Sequence, residues 1–128
     1  MIKEFTNFLS SSDIEYKDGN DGTVTFEYNG LNFLFVSEKN DPNYVRIILP
    51  NIAMVDSSKD KAQAFEYANE YNQKYKAIKM TVTENSIWLS IEQFLYSHEN
   101  ARELFKRMIG ILVAVIEDFR NNYDKSTL

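Results

Sequence analysis

The sequence predicts an α+β fold: an antiparallel five-stranded sheet covered by helices, in the order αβββαββα. Three observations carry that expectation. The alternating runs "TVTFEY" at 23–28 and "LNFLFV" at 31–36 flank Asn29-Gly30, the strongest short hairpin signal. Apolar residues recur at helical spacing in three other segments, the last containing "KRMIGILVAVIEDFR" at 106–120. Gly and Pro number only four and two and fall where turns are expected, so nothing partitions the chain, and residues 1–128 are expected to form a single domain.

Each element follows from its residues. A short amphipathic helix over 2–10 puts Ile2, Phe5, Phe8 and Leu9 on one side. Ile14 and Tyr16 give a brief extended piece before the turn-rich "DGNDG" at 18–22. A two-residue turn then pairs Tyr28 with Leu31, Phe26 with Phe33 and Val24 with Phe35, all on one face. "YVRIIL" at 44–49 reads as the third strand, closed by Pro50. Ser57 and Asp60 form a capping pair for a second helix from about Lys59 to Tyr75, with Ala64, Tyr67, Ala68, Tyr71 and Tyr75 along its stripe. In the second hairpin Ile78, Met80 and Val82 face Ile87, Leu89 and Ile91 across Glu84-Asn85. The last helix starts at Ser97 or Asn100 and runs to about Tyr123. Its broad stripe, Ala101, Leu104, Phe105, Met108, Ile111, Leu112, Val115, Ile116 and Phe119, covers the sheet.

Composition narrows the function classes. Lys and Arg total 14 against 19 for Asp and Glu, and the resulting charge of −5 repels phosphate backbones and anionic membrane surfaces, so neither nucleic acid nor membrane is an expected partner. With no cysteine, the chain has no disulfide, catalytic thiol or thiolate metal site. The start "MIKEFTNFLSSSD" carries an acid at Glu4 and no long apolar run, unlike a secretory signal. The uncharged stretch from Met108 to Ile116 falls short of the about 20 apolar residues a membrane span requires. The expected location is the cytoplasm.

Two surfaces hold more apolar side chains than the core needs. On these hairpin registers Leu34, Val36, Tyr44, Ile48 and Trp88 point away from the helix-covered face, with Asn32, Arg46, Lys79, Thr81 and Ser90 among them, the composition of a partner-binding patch. Behind the core stripe of the last helix lie Gly110, Val113 and Ala114, where small residues four apart let another backbone approach in a homodimer.

Reactive groups are sparse. His98, the one histidine, stands beside Glu99 at a helix start with no zinc-ligand spacing around it. "DGNDGT" from Asp18 resembles the opening of a calcium loop, but Gly22 occupies a ligand position and no Glu closes the loop. Neither phosphate-cradling glycine motifs nor a GxSxG elbow occurs. No catalytic residue, metal site or cofactor is expected, and the chain reads as a non-enzyme.

The run "YANEYNQKYKAIKMTVTENSIWLSIEQFL", a helix with Asn69 and Asn72, a strand, a tight turn and another strand before a long helix, resembles the YbjN-like family of putative bacterial sensory-transduction regulators. The resemblance covers about residues 20–123. It implies a fold similar to type III secretion chaperones, small acidic dimers of the same element order, and a non-catalytic protein-binding role as regulator or chaperone-like protein, with another protein as partner and a homodimer as the assembly. The alternative is a small-ligand or enzymatic site in a pocket between helices and sheet.

Overall fold

A computed structural model describes the backbone of residues 1–127 and the side chains through Tyr123. Helix α1 spans Ile2–Ser11, strands β1 to β4 span Tyr16–Asp18, Thr23–Tyr28, Leu31–Glu38 and Asp41–Met54, helix α2 spans Ser58–Lys74, strands β5 and β6 span Ile78–Val82 and Ser86–Phe94, and helix α3 spans Ala101–Thr127. All strand pairs are antiparallel, in the order β1-β2-β3-β4-β6-β5.

The sheet therefore has six strands, one more than expected. The addition is β1, where Tyr16, Lys17 and Asp18 pair with Phe26, Thr25 and Val24. All three of its side chains are exposed, so no apolar face marks it as a strand; it forms because it finishes the hydrogen bonding of β2. The second correction concerns Pro50, which does not close a strand. Strand β4 continues through it to Met54, with the register against β6 shifting between Leu49 and Ala53 and with Asn51 at φ 54°. A proline lacks the donor that a regular ladder needs, and a bulge removes that need.

Both hairpins pair as their alternation dictates. Tyr28 faces Leu31, Phe26 faces Phe33 and Val24 faces Phe35. The turn residues Asn29 and Gly30 both take positive φ, 54° and 73°, the conformation whose twist matches two flanking strands. Ile78, Met80 and Val82 face Ile91, Leu89 and Ile87. In "DGNDG" the Asp18 carboxylate accepts from Asn20 N–H at 2.8 Å and that of Asp21 from Thr23 N–H at 3.2 Å. These carboxylates hold a turn. Gly22 has φ 91°, and a Cβ there would come within 2.5 Å of the Ser37 carbonyl oxygen.

Helices α1 and α3 lie on the face carrying Val24, Phe26, Phe33, Phe35, Val45 and Ile47. Phe5 of α1 stacks on Phe35 with ring centroids 4.0 Å apart and meets Phe105 of α3 edge-on at 5.0 Å. At the far end of α3, Phe119 receives Tyr67 and Tyr71 of α2 edge-on. A polar clasp closes this contact. Asp118 accepts from Lys74 Nζ at 2.7 Å and from the Tyr75 hydroxyl, and Asn122 Nδ2 donates to Asp118 Oδ1 at 2.6 Å. Lys74 first, then Tyr75, holds the Asp118 carboxyl below its usual range.

Helix α2 also seals one edge of the sheet. Asn72 Oδ1 accepts from Met80 N–H at 2.7 Å and its Nδ2 donates to the Met80 carbonyl at 3.1 Å, so one side-chain amide satisfies the outward backbone groups at the middle of β5 as a neighbouring strand would. Asn69, one turn earlier, is exposed. Asn72→Ala should lower stability by about 1–3 kcal/mol, since it strands a part-buried donor and acceptor. Asn69→Ala should stay within about 0.5 kcal/mol. Urea unfolding of the two variants checks this; equal midpoints would mean that the edge is not sealed by Asn72.

Candidate functional site

The registers arrange the outer face of the sheet in rows. Leu34, Ile48, Ser90 and Lys79 lie side by side, Val36, Arg46 and Glu92 form the next row, and Tyr44 and Phe94 a third. The helices pack on the opposite face, so these side chains have no element over them among the described residues. Leu34, Val36, Tyr44 and Trp88 are half-buried, and Phe94 is 55% exposed.

Two of the expected patch residues have other surroundings. Ile48 points outward yet is only 3% exposed, because it sits on a central strand between Leu34 and Ser90; it supports the patch from beneath. Trp88 is tied down: its Nε1–H donates to Asn51 Oδ1 at 3.2 Å and to Ser86 Oγ at 3.1 Å, fixing the ring against the β4 bulge. Phe94 and Tyr96 extend the patch with rings 6.4 Å apart, Phe94 in turn lying 5.7 Å from Tyr44. They lie just past the stretch whose alternation marks a strand; the outward parity of Phe94 was the one signal for it.

The back of α3 is not a plain exposed stripe. Gly110 and Val113 border a groove of about 720 Å³ between α3, the end of α1 and the β2–β3 turn, and Ala114 lies outside it, exposed. Phe8, Ile14, Tyr28 and Ile109 line the groove with Arg102, Glu103 and Lys106 at one end. The sequence offered no signal for this concavity, because its walls come from three separate elements.

The groups with reactive potential have structural partners. His98 Nδ1 lies 2.7 Å from Glu4 Oε1, joining the start of α3 to α1, and the nearby Ser11 hydroxyl donates to the Phe8 carbonyl at 3.0 Å. Among the described residues no three of His, Cys, Asp or Glu gather as a metal site, and no helix is long and apolar enough to cross a membrane. Asn72, part of the quoted family stretch, acts on the sheet edge, a role that spacing alone does not reveal.

One ladder of charge crosses the outer face beside the patch. Lys79 Nζ pairs with Glu92 Oε1 at 2.7 Å, and the Tyr44 hydroxyl donates to the same carboxylate. Burial first, then Glu92, pushes the Tyr44 phenol up to about 12. Lys79 chiefly holds the Glu92 carboxyl below its usual range, with Tyr44 adding to it against the cost of burial. The contribution of Glu92 to stability is therefore full above pH 4.5 and is lost as pH falls through the lower folded-state value. Arg46 Nε, beside this ladder, is buried without a hydrogen-bond partner among the described residues. Glu92→Gln should bring the Tyr44 phenol down towards about 10, measured by following its ring carbons in an NMR pH titration; an unmoved midpoint would show that burial alone raises it.

A family model described as "YbjN: Putative bacterial sensory transduction regulator" matches residues 2–124. No curated protein matches the chain. The family match runs from α1 across every strand of the sheet and into the last turns of α3, so the resemblance of the Asn69–Asn72 stretch extends to the whole fold. On that match, the chain belongs to the YbjN family.

Proposed function

We propose that this chain is a single non-catalytic binding domain that holds a segment of a protein partner across the outer face of its sheet. The observation supporting this best is the uncovered face: Leu34, Val36, Tyr44 and Phe94 stay at the surface of a sheet whose other face is covered by helices. An apolar patch rimmed by charge is the usual composition of an interaction surface. A protein fits better than a polyanion, because the chain carries a charge of −5.

The family description as a regulator agrees with such a role, since a regulator works by engaging a partner. In its finer form the reading takes up the chaperone-like architecture implied by the resemblance: an extended client segment lies over Leu34 and Val36, with Ile48 and Trp88 as the floor, in the bacterial cytoplasm. A second copy of the chain packs against Gly110, Val113 and Ala114 in the companion proposal of a homodimer.

A photocrosslinking amino acid in place of Val36 should trap one distinct polypeptide in the native cell, while the same group at exposed Lys59 should not. Leu34→Thr should then reduce the trapped yield by about tenfold at an unchanged melting temperature, since a central apolar anchor is worth about 1–2 kcal/mol. No adduct, or equal adducts at both positions, would remove the sheet face as the partner site. For the dimer, Gly110→Glu and Ala114→Arg should shift the mass in light scattering towards one chain without unfolding; an unchanged mass would exclude this helix face.

A further inference from the structure

We propose that the groove between α3, the end of α1 and the β2–β3 turn binds a small anionic amphiphile, its acidic head against Arg102 and Lys106 and its tail along Phe8, Ile14, Ile109 and Val113. The groove lies on the helix side of the sheet, away from the outer face, so the partner proposal and this one stand or fall separately.

Its size and shape suit such a ligand. A volume of about 720 Å³ falls within the range of small-molecule sites. From Arg102 to Val113 it follows α3 for roughly 16 Å, at a rise of about 1.5 Å per residue. Gly110 leaves the wall open, with no atom within 4 Å of where a Cβ would stand. Ile109 is buried, so the floor is firm packing.

Charge is segregated along that length. Arg102, Glu103 and Lys106 stand at one end; beyond them the α3 wall is Ile109, Gly110 and Val113, all uncharged. Among the described residues no carboxylate lies within 4.0 Å of either cation. Both cations are exposed, one helical turn apart, where like charges repel by a few tenths of a kcal/mol. Arg102 also sits in the first turn of α3, where the helix dipole disfavours positive charge. Glu103, three residues before Lys106, offsets part of that repulsion, and an acidic head in the groove relieves the rest. Glu103 leaves one net positive charge in the lining. Just across the Ser12–Ile14 segment, a neighbouring concavity gathers Asp13, Glu15 and Glu27. Those carboxylates disfavour an anionic head against the Ile14 and Tyr28 wall.

The groove shares Gly110 and Val113 with the proposed dimer contact, so ligand binding and light scattering are measured on the same samples. The full chain is titrated with dansyl-labelled undecanoic acid below micellar concentrations. Expected is saturable binding of one probe per chain, displaced by lauric acid or dodecyl phosphate at least about tenfold better than by dodecanol or dodecyltrimethylammonium. The preferred anion distinguishes a carboxylate from a phosphate head. Arg102→Glu combined with Lys106→Glu should weaken the probe by about tenfold or more with an unchanged circular dichroism spectrum, because it removes two charge-assisted contacts. Gly110→Phe should block the tail while keeping the helix, since its space is open. Absence of saturable binding, equal displacement by the neutral or cationic amphiphile, or undiminished binding by the charge-reversed variant would each overturn the proposal. A mass of one chain for the unsubstituted protein, with ligand binding intact, would remove only the homodimer.

Discussion

Phe5 is the contact on which the arrangement depends. Its ring stacks on Phe35 of the sheet and receives Phe105 of α3, so one side chain joins the first helix, the central hairpin and the last helix. Residues far apart in sequence are brought together through it, and the closure entropy of that long loop is offset by aromatic burial and edge-to-face geometry. The neighbouring pair Phe26 and Phe33 continues the layer across β2 and β3. With α1 held there, its C-terminal end stands beside the β2–β3 turn, and the groove against α3 is a by-product of that docking.

The helices all serve one side. Covering the inner face uses the stripe of α3 and the apolar side of α1, while α2 packs on β5 and on the far end of α3. A six-stranded sheet treated this way keeps a broad outer surface with its own side-chain rows. On that surface Ile48 and Ser90 are shielded by their neighbours, and what reaches solvent is a mixture of aliphatic, aromatic and paired charged groups. Binding by such a surface draws on rigid backbone geometry and requires no ordering of loops.

Much of this was legible in the residues. Alternation and the Asn29-Gly30 turn gave both hairpin registers, because period two leaves one choice of face once a turn is fixed. Ser57 does cap α2, accepting from Asp60 N–H at 3.1 Å. Strand β1 stayed hidden because its residues are exposed, and pairing alone makes it a strand. Pro50 misled because a ladder and a bulge make opposite demands on the backbone donor, and only the partner strand decides between them. The outward parity of Leu34, Val36, Tyr44 and Trp88 followed from the register, but the tether from Trp88 to Asn51 spans 37 residues and has no local signature. The groove was illegible for the same reason: Ile14, Tyr28 and Ile109 meet only after folding.

The amide of Asn72 reaches beyond the stability of β5. By occupying the outward donor and acceptor of Met80, midway along β5, it obstructs a further ribbon at that edge, while β1 at the opposite edge is three residues long with Lys17 at its centre. Strand addition is thereby disfavoured at both edges, which reduces the hazard that usually accompanies an oily sheet surface.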